Sequence, residues 1–276
     1  MIEPKIIHKL DPVINEVKKK TGISIENFKP AFLERRVHYR MRTIGMENYE
    51  DYVKLLSTSF EEAKMLYAAF SINVTKFFRD PHVWEKLEKD VIPMFFRTTR
   101  FSPVRAWSCG SASGEEPHSI SILLNDCLGE QKTGYQVYAT DINAEAINKS
   151  KKGVYKKESL INVNSQRINT YFEMIQKDYF QVDSRIRSKI EYDKTDMMKV
   201  TGKFFDIIFC RNVLIYYDRD AHEQIFKRFF DALKKDGILI LGQDESMIGT
   251  KGSELFELLH PKERIYQKRS ITKEYF

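Results

Sequence analysis

A run of small residues between Trp107 and Ser119, WSCGSASGEEPHS, is the first place where this sequence can hold a ligand. Small side chains let a ligand approach the backbone, and the helix expected to begin at Pro117 points free N–H groups toward it. Dinucleotide-binding loops of this kind hold pyrophosphate, but here Glu115 and Glu116 stand in the phosphate position. Two carboxylates repel phosphate and favour a cationic group such as an ammonium or sulfonium. The alternative is that both glutamates only stabilise the helix N-terminus through its dipole.

Two other places carry side chains suited to an adenosine ligand. Asp141 ends the strand-like stretch VYATD, where a carboxylate can accept hydrogen bonds from both ribose hydroxyls. It can also cap the following helix, either alone or alongside that role. Arg211 and Asn212 follow the apolar run FDIIFC, and Tyr216 comes soon after. Ligands of open α/β sheets lie beyond the carboxyl ends of the strands, which favours a binding role for these residues. A polar turn with Tyr216 packed in the core is the alternative.

The segment SINVTKFFRD, from Ser71 to Asp80, mixes polar side chains with apolar and aromatic ones. Asn73, Thr75 and Arg79 are the polar positions of interest. A segment of this kind at a domain junction can close over a cleft, or it can serve only as a helix cap and hinge.

The elements that must position these residues follow from the apolar pattern. Four short apolar runs are expected to be strands: Val104 to Ser108, Gln136 to Thr140, Phe205 to Cys210 and Gly237 to Leu241. The last two are almost wholly apolar, as strands buried on both faces of a parallel sheet are. Between them lies a helical stripe of apolar residues that ends at Asp236 and Gly237. Strands alternating with helices predict a doubly wound α/β domain.

The remaining sequence predicts helices and an insertion. Helices are expected over about Ile25 to Ile44, Asn48 to Ser57, Phe60 to Ile72, and from Asp80–Pro81 to about Val91. The piece from about Tyr155 to Tyr192 interrupts the alternation, and the spacing of Ile186, Ile190 and Tyr192 suggests antiparallel strands. We therefore expect a helical domain over 1–75, an α/β domain over 76–276, and a β-subdomain inserted at about 155–192.

Composition excludes several classes of protein. The chain has 276 residues, enough for two domains, and its 30% of charged residues is that of a globular protein. No apolar run approaches the ~18 residues of a membrane span, and the opening MIEPKIIHKL lacks a signal-peptide core, so a cytoplasmic location is expected. Cys109, Cys127 and Cys210 lack metal-ligand spacing and are expected to pack as small apolar residues. A net charge of +6 favours an acidic partner: nucleic acid, anionic lipid or a carboxylate-rich protein.

Taken together, four blocks of this sequence resemble the CheR family of chemotaxis receptor methyltransferases. They are NVTKFFRD; RAWSCGSASGEEPHS; YATDIN followed by KKGVY; and FDIIFCRNVLIYYD with LKKDGILILGQDES. The resemblance implies a small all-helical N-terminal domain, a Rossmann-like methyltransferase domain and an inserted antiparallel β-subdomain. It also implies S-adenosylmethionine as the methyl donor, S-adenosylhomocysteine as its product, and glutamates on the cytoplasmic helices of methyl-accepting chemotaxis receptors as the substrate.

The resemblance further implies a set of site residues and no metal. Those implied to bind the cofactor are Asn73, Thr75, Arg79, one of Glu115 and Glu116, Asp141, Asp196, Met197, Arg211 and Asn212. Arg79 and Tyr216 are implied to lie near the transferred methyl group, with Arg79 holding a carboxylate through a bidentate contact and Tyr216 orienting the methyl or the substrate oxygen. Relatives usually have Asn-Leu where this chain has Asp196–Met197; an aspartate accepts a hydrogen bond from the adenine amino group but cannot donate one.

A basic stretch in the N-terminal part suits an acidic partner. AFLERRVHYRMR, from Ala31 to Arg42, places Arg36 with Arg40, and Arg35 with Arg42, on neighbouring helical turns. This face complements glutamate-rich receptor helices, so we predict that it docks the substrate. A solvated charged face is the alternative.

Two other functions are compatible with this fold, because a fold does not fix a function. One is a nucleic-acid methyltransferase, and the other is a non-catalytic interaction module. The loop RNVLIYY lacks the DPPY or NPPY sequence that amino-methylating DNA enzymes share, so no nucleic-acid partner is expected. Intact Arg79, Asp141, Asn212 and Tyr216 argue against a non-catalytic module. A glutamate nucleophile, with a reference pKa of about 4.3, is ionised at neutral pH and needs no general base, and none of the six scattered histidines is assigned to catalysis.

Overall fold

The computed structural model describes residues 5–22, 25–70, 75–94, 102–128 and 134–270. The chain divides into two compact units. One comprises Met1–Ile72 with Tyr216–His222, and the other comprises Asn73–Ile215 with Glu223–Phe276. Each is described by itself.

The helical unit contains four helices in its described N-terminal part: α1 Lys5–Thr21, α2 Pro30–Thr43, α3 Tyr49–Thr58 and α4 Phe60–Phe70. The expected helix from Ile25 begins instead at Pro30, because proline suits the first helical position and the residue before it disfavours helical backbone. Asn48 caps α3 by accepting the Glu50 N–H. The last two predicted residues of the α4 pattern, 71 and 72, lie outside the described residues.

The α/β unit is built on a seven-stranded sheet in the order β6-β2-β1-β7-β8-β10-β9. Its strands are β1 Val104–Cys109, β2 Tyr135–Asp141, β6 Ile190–Lys194, β7 Phe205–Cys210, β8 Leu233–Leu241, β9 Phe256–His260 and β10 Ile265–Lys268. The first five strands in the order are parallel, and β10 runs antiparallel to both its neighbours. The predicted α/β fold is confirmed, with β7 buried along its whole length as its apolar sequence requires.

Seven further helices have both ends among the described residues. They are α5 Pro81–Lys86, which continues as a π-turn over Leu87–Val91, α6 Glu115–Leu128, α7 Ala144–Lys152, α8 Ser165–Tyr171, α9 Ser184–Arg187, α10 Arg219–Ala232 and α11 Gly252–Leu255. Helix α10 ends four residues before the predicted Asp236, because Leu233 already pairs with Phe205 as the first residue of β8.

A small antiparallel sheet, in the order β3-β5-β4, is the inserted β-subdomain. It is formed by β3 Val154–Lys156, β4 Phe172–Gln176 and β5 Tyr179–Val182. The prediction that Ile186, Ile190 and Tyr192 lie on antiparallel strands is wrong. Ile186 lies in helix α9, while Ile190 and Tyr192 lie in β6, which pairs in parallel with β2 of the main sheet. An alternating apolar pattern does not distinguish these arrangements, since partner and direction are set by tertiary contacts.

Aromatic packing ties the segment before Arg79 to this insertion. The Phe77 ring is fully buried and meets Tyr155 of β3 and Phe172 of β4 edge to face, at centroid distances of 4.9 and 5.1 Å. The backbone N–H of Phe77 donates to the Ser159 carbonyl. The segment leading to Arg79 is thus anchored in the core of the α/β unit.

Candidate active site

Strand direction gathers most of the predicted cofactor residues at one edge of the sheet. Strands β6, β2, β1 and β7 are consecutive and parallel, so their carboxyl ends meet at the same edge. Asp196 follows β6, Asp141 ends β2, and Arg211 follows β7. The small-residue loop that follows β1 lies between them. The structure therefore brings together groups that are separated by up to a hundred residues in the chain.

The loop after β1 adopts a conformation that only small residues tolerate. Backbone φ is positive at Gly110 (65°), Ala112 (46°) and Gly114 (99°). A Cβ at Gly114 would lie 1.9 Å from the Ser150 Oγ and 2.6 Å from the Tyr155 hydroxyl oxygen. Helix α7 and strand β3 therefore press directly on the loop, and glycine is required at this position.

Asp141 fastens this loop to the end of β2. Its buried carboxylate accepts the Ala112 N–H through Oδ2 and the Asn143 N–H through Oδ1, both at 2.8 Å. Burial raises the pKa of the Asp141 carboxyl, and these backbone donors oppose the rise. The cap of helix α7 is Asn143, whose side chain accepts from Glu145 and Ala146, so the alternative of Asp141 as the helix cap is wrong.

Glu115 and Glu116 face different surroundings. Glu115 is buried and accepts the Ser113 hydroxyl at 2.6 Å within the loop. Glu116 accepts the Ser108 hydroxyl at 2.7 Å, and its Oε2 lies 3.7 Å from an Arg211 guanidinium nitrogen. Burial raises the pKa of the Glu116 carboxyl, whereas the charge of Arg211 opposes that rise. Of the two, Glu116 is the carboxylate placed beside the positive charge at the end of β7.

Arg211 links the end of β7 to the backbone at Arg79. Its guanidinium, only 2% exposed, donates to the Arg79 carbonyl oxygen at 2.9 Å and to the Asp80 carboxylate at 2.7 Å. Asp80 precedes α5 at the N-cap position, but its side chain makes no capping hydrogen bond and pairs with Arg211 instead. Two buried polar atoms, Arg211 Nε and Ser111 Oγ, have no hydrogen-bond partner among the described residues.

The backbone on both sides of Arg79 is strained. Phe78 has φ 49° and Asp80 has φ 57°, values that residues with a Cβ adopt at a cost. The Phe78 N–H donates to the Ser119 hydroxyl at 3.0 Å, and the Trp84 indole N–H donates to the Arg79 carbonyl at 2.8 Å. Such over-determined strain is typical of functional sites.

The other predicted cofactor residues are less constrained by these contacts. Asn73 lies outside the described residues, and Thr75 is half-buried. Asp196 accepts the Met198 N–H at 2.9 Å and caps a short 3₁₀ turn, while Met197 is buried. Asn212 adopts φ 59° and is held through its backbone.

Comparison with known proteins identifies this arrangement. The family model described as "CheR methyltransferase, SAM binding domain" matches residues 73–263, and that described as "CheR methyltransferase, all-alpha domain" matches residues 9–71. The chain belongs to the CheR methyltransferase family. It is therefore an S-adenosylmethionine-dependent methyltransferase, as the resemblance implied.

Three curated relatives match this sequence along most of their length, and each is a chemotaxis protein methyltransferase. The protein of Borreliella burgdorferi is 29% identical over 89% of this chain and 90% of its own. That of Salmonella typhimurium is 30% identical over 83% of this chain and 81% of its own, and that of Listeria innocua is 30% identical over 84% and 87%. These matches support neither nucleic-acid methylation nor a non-catalytic module.

Among the described residues, no helix has both the length and the apolar character that crossing a membrane requires. The same residues contain no group of three or more His, Cys, Asp or Glu side chains arranged to hold a metal ion.

In the helical unit, the four arginines predicted to dock substrate differ in their surroundings. Arg35 and Arg42 are exposed. Arg40 forms a two-pronged contact with Glu62, at 2.8 and 2.7 Å, and Glu62 also accepts the Tyr52 hydroxyl. The guanidinium of Arg40 is therefore already engaged within the unit.

Arg36 lies beside Tyr216, which this unit also contains. Its guanidinium stands over the Phe32 ring at 5.4 Å, and the Tyr216 ring also contacts Phe32, at a centroid distance of 4.8 Å. The Tyr216 carbonyl accepts the Lys29 N–H. Partial burial and the nearby charge of Arg35 lower the pKa of Arg36. The Tyr216 ring is thus packed against α2, but it is only half-buried and is not part of the core.

Sequence reasoning missed two buried polar groups near the loop. His118 is fully buried; its Nδ1–H donates to the Gly114 carbonyl at 2.7 Å, and its Nε2 lies 3.4 Å from the Tyr192 hydroxyl. Burial lowers the pKa of His118 from 6.5 to about 4. Glu245 is buried beyond the end of β8. The sequence contains no signal for either, because a histidine or glutamate in a helix or loop is more commonly exposed.

Proposed function

We propose that this chain transfers the methyl group of S-adenosylmethionine to glutamate side chains of chemoreceptors and forms glutamate methyl esters. The observation that carries the proposal is the cluster of Glu116, Arg211 and the strained Arg79 turn at the carboxyl edge of β1 and β7. It offers the Glu116 carboxylate for a cationic cofactor and the Arg79 guanidinium for a carboxylate substrate.

The residues present fit this cofactor. The unpartnered Ser111 Oγ and Arg211 Nε are buried polar atoms suited to a polar ligand, because leaving such atoms unbonded is costly. Glu116 would pair with the cofactor's ammonium group, and Asp141 would accept its ribose hydroxyls with the lone pairs that the loop leaves free. Asn212 and the Asp196–Met197 pair would contact the remainder. When bound, S-adenosylmethionine supplies an electrophilic methyl group on a positively charged sulfur.

The work of the protein is then positioning. A glutamate carboxylate is ionised at neutral pH, so the chain has no proton to remove from it. Arg79 would hold that carboxylate, since a guanidinium binds it in a bidentate and directional manner. Tyr216 would orient the reacting oxygen or the methyl group. A fixed geometry contributes to the rate by replacing a bimolecular encounter with a positioned one.

The exposed Arg35 and Arg42 of α2 would dock the glutamate-rich cytoplasmic helices of the receptor. Arg36, partly buried and beside Tyr216, is better placed to act next to that tyrosine than to form a peripheral contact. Arg40 would stabilise the helical unit and would not contact the receptor directly, because Glu62 already pairs with it.

A methyl-transfer assay tests the proposal. The purified chain is incubated with methyl-tritiated S-adenosylmethionine and, in parallel, with a receptor cytoplasmic fragment or duplex DNA. We expect label on the receptor that mild alkali releases as methanol, since esters are base-labile. A receptor fragment with its candidate glutamates changed to glutamine is the control. Label that survives alkali, or label on DNA alone, would contradict the proposal.

A further inference from the structure

Glu245 occupies an unusual position for a glutamate. It follows β8 and is only 3% exposed. Its carboxylate accepts four backbone N–H groups: Oε1 accepts from Val213 and Leu214, both at 2.7 Å, and Oε2 accepts from Asn212 at 3.0 Å and Gly242 at 2.6 Å.

Three of these donors are consecutive residues of the loop after β7. Asn212, the first of them, has φ 59°, so the chain turns sharply as it leaves the strand. Successive N–H groups that converge in such a turn form a concave site for an anion. Glu245 fills it from within the protein. Without this carboxylate, three backbone N–H donors of the loop would lose their acceptor at once.

Gly242 allows this close approach. A Cβ at this position would lie 2.7 Å from the Asn212 backbone nitrogen and 2.7 Å from Glu245 Oε2. The first of these atoms is backbone and cannot swing aside as a side chain can. The ends of β7 and β8 are therefore held close together, because Glu245 hydrogen-bonds to both and Gly242 has no side chain to separate them.

We propose that Glu245 is a positioning residue for methyl transfer: its carboxylate holds the loop Arg211–Leu214 in the conformation that cofactor binding requires, without touching the cofactor itself. This proposal rests on the proposed function, because it takes Arg211 and Asn212 as cofactor contacts. Those side chains leave the same turn that Glu245 fixes.

The charge and length of this side chain both matter. Burial raises the pKa of the Glu245 carboxyl, and its four N–H donors oppose that rise. A glutamine keeps the length, but its NH₂ group would face two of the N–H donors that Oε1 or Oε2 now accepts. Glu245→Gln therefore disrupts the loop while conserving the volume of the core.

Asp206 is a matched control on the same strand. It lies near the amino end of β7, is also 3% exposed, and accepts the Arg105 N–H and the Lys234 ammonium. Asp206→Asn thus neutralises an equally buried carboxylate at the end of the strand away from the candidate site.

The experiment measures the melting temperature, the Kd for S-adenosylhomocysteine by calorimetry, and kcat and KM with a receptor fragment. We expect both variants to have a lower melting temperature than the wild type. Glu245→Gln should also raise the Kd about tenfold or more and lower kcat, as a displaced loop misplaces its contacts. Asp206→Asn should keep both quantities within about twofold of wild type. A Glu245→Gln protein whose binding and turnover match those of Asp206→Asn would overturn the proposal.

Gly242→Ala keeps the test decisive if Glu245→Gln does not fold. The added methyl group displaces the same loop without changing any charge, so the Kd should again rise and kcat fall; wild-type values in this variant would overturn the proposal. A wild-type chain that binds no S-adenosylhomocysteine would contradict the proposed function instead.

Discussion

The two adjacent glutamates of the GEEP sequence show how neighbouring residues of one type divide between roles. Glu115 binds back to Ser113 of its own loop, whereas Glu116 lies beside Arg211. Consecutive residues at a helix start point about 100° apart, so only one of them can face the sheet edge. We therefore propose that Glu116, and not Glu115, pairs with the cofactor ammonium.

Exchange of each glutamate for glutamine separates these roles. Glu116→Gln should raise the Kd for S-adenosylhomocysteine about tenfold, because a charged hydrogen bond becomes a neutral one. Glu115→Gln should lower the melting temperature and have the smaller effect on the Kd. Calorimetric titration of both variants measures this difference. Equal Kd values for the two would refute the assignment of Glu116.

Arg79 is the residue on which the proposed chemistry depends most. Its carbonyl oxygen is fixed by Trp84 and Arg211, and its two neighbours have left-handed backbone, so the position of its Cα is set by the core. Arg79→Ala should lower kcat about a hundredfold even at saturating receptor, since orientation is lost in the transition state. Steady-state kinetics with Arg79→Lys as the comparison measures it. An unchanged kcat with a raised KM would mean that Arg79 only binds the receptor.

At the scale of the element, helix α2 combines structural and exposed arginines. Arg40 and Glu62 form a pair in which both side chains are at most 15% exposed, while Arg35 and Arg42 lie on the surface. Charge pairs at a surface contribute about 0–1 kcal/mol each and are screened by salt. Removing one partner of a buried pair costs more, because it leaves the other charge uncompensated.

Substitution along α2 distinguishes docking from structure. The double variant Arg35→Ala with Arg42→Ala should raise the KM for receptor by up to about tenfold at low salt and by less at high salt, with cofactor affinity unchanged. Lys54→Ala, which removes an exposed cation of α3, is the control and should leave the KM unchanged. A lower kcat at constant KM in the double variant would contradict docking.

Arg40→Ala should behave in another way. Loss of its two-pronged contact leaves the Glu62 carboxylate without its cationic partner, so we expect the free energy of unfolding to fall by about 3 kcal/mol. Denaturant titration measures this change, and Arg40→Ala with Glu62→Gln should restore part of it. A fully stable Arg40→Ala protein would show that the pair is not structural.

At the scale of the whole molecule, buried His118 links stability to pH. Its pKa is about 4 in the folded chain and near 6.5 when exposed, so the unfolded chain binds the proton first as the pH falls. The contribution of the neutral imidazole to stability is complete above pH 6.5 and is lost as the pH falls toward 4. The loss is roughly 2 kcal/mol at pH 5 by this linkage.

Comparison with His118→Gln isolates that component. Glutamine can still donate to the Gly114 carbonyl and carries no proton to gain, so the variant should lose less stability than the wild type between pH 7 and pH 5. Urea titrations at both pH values measure this difference in stability loss. Other acid-sensitive groups affect both proteins equally, so their contribution cancels. Parallel losses in the two proteins would show that His118 does not sense pH.

Local pattern by itself determined the class of the fold. Strands β1, β2 and β7 and helices α3 and α4 lie within a residue or two of prediction, because burial on known faces leaves a periodic signal in the chain. The small residues before Glu115 likewise follow from a backbone that must turn with positive φ. These features depend on neighbours in sequence.

Tertiary contacts alone decided the rest. Glu116 differs from Glu115 because Arg211 lies beside it, and the Asp80 side chain pairs with the same guanidinium instead of capping its helix. The strand of Ile190 and Tyr192 pairs in parallel with β2 at the edge of the main sheet. Glu245 and Asn212 stand 33 residues apart and meet only when β7 and β8 pair. Contacts between distant segments depend on the folded backbone, so no local spacing in the sequence encodes them.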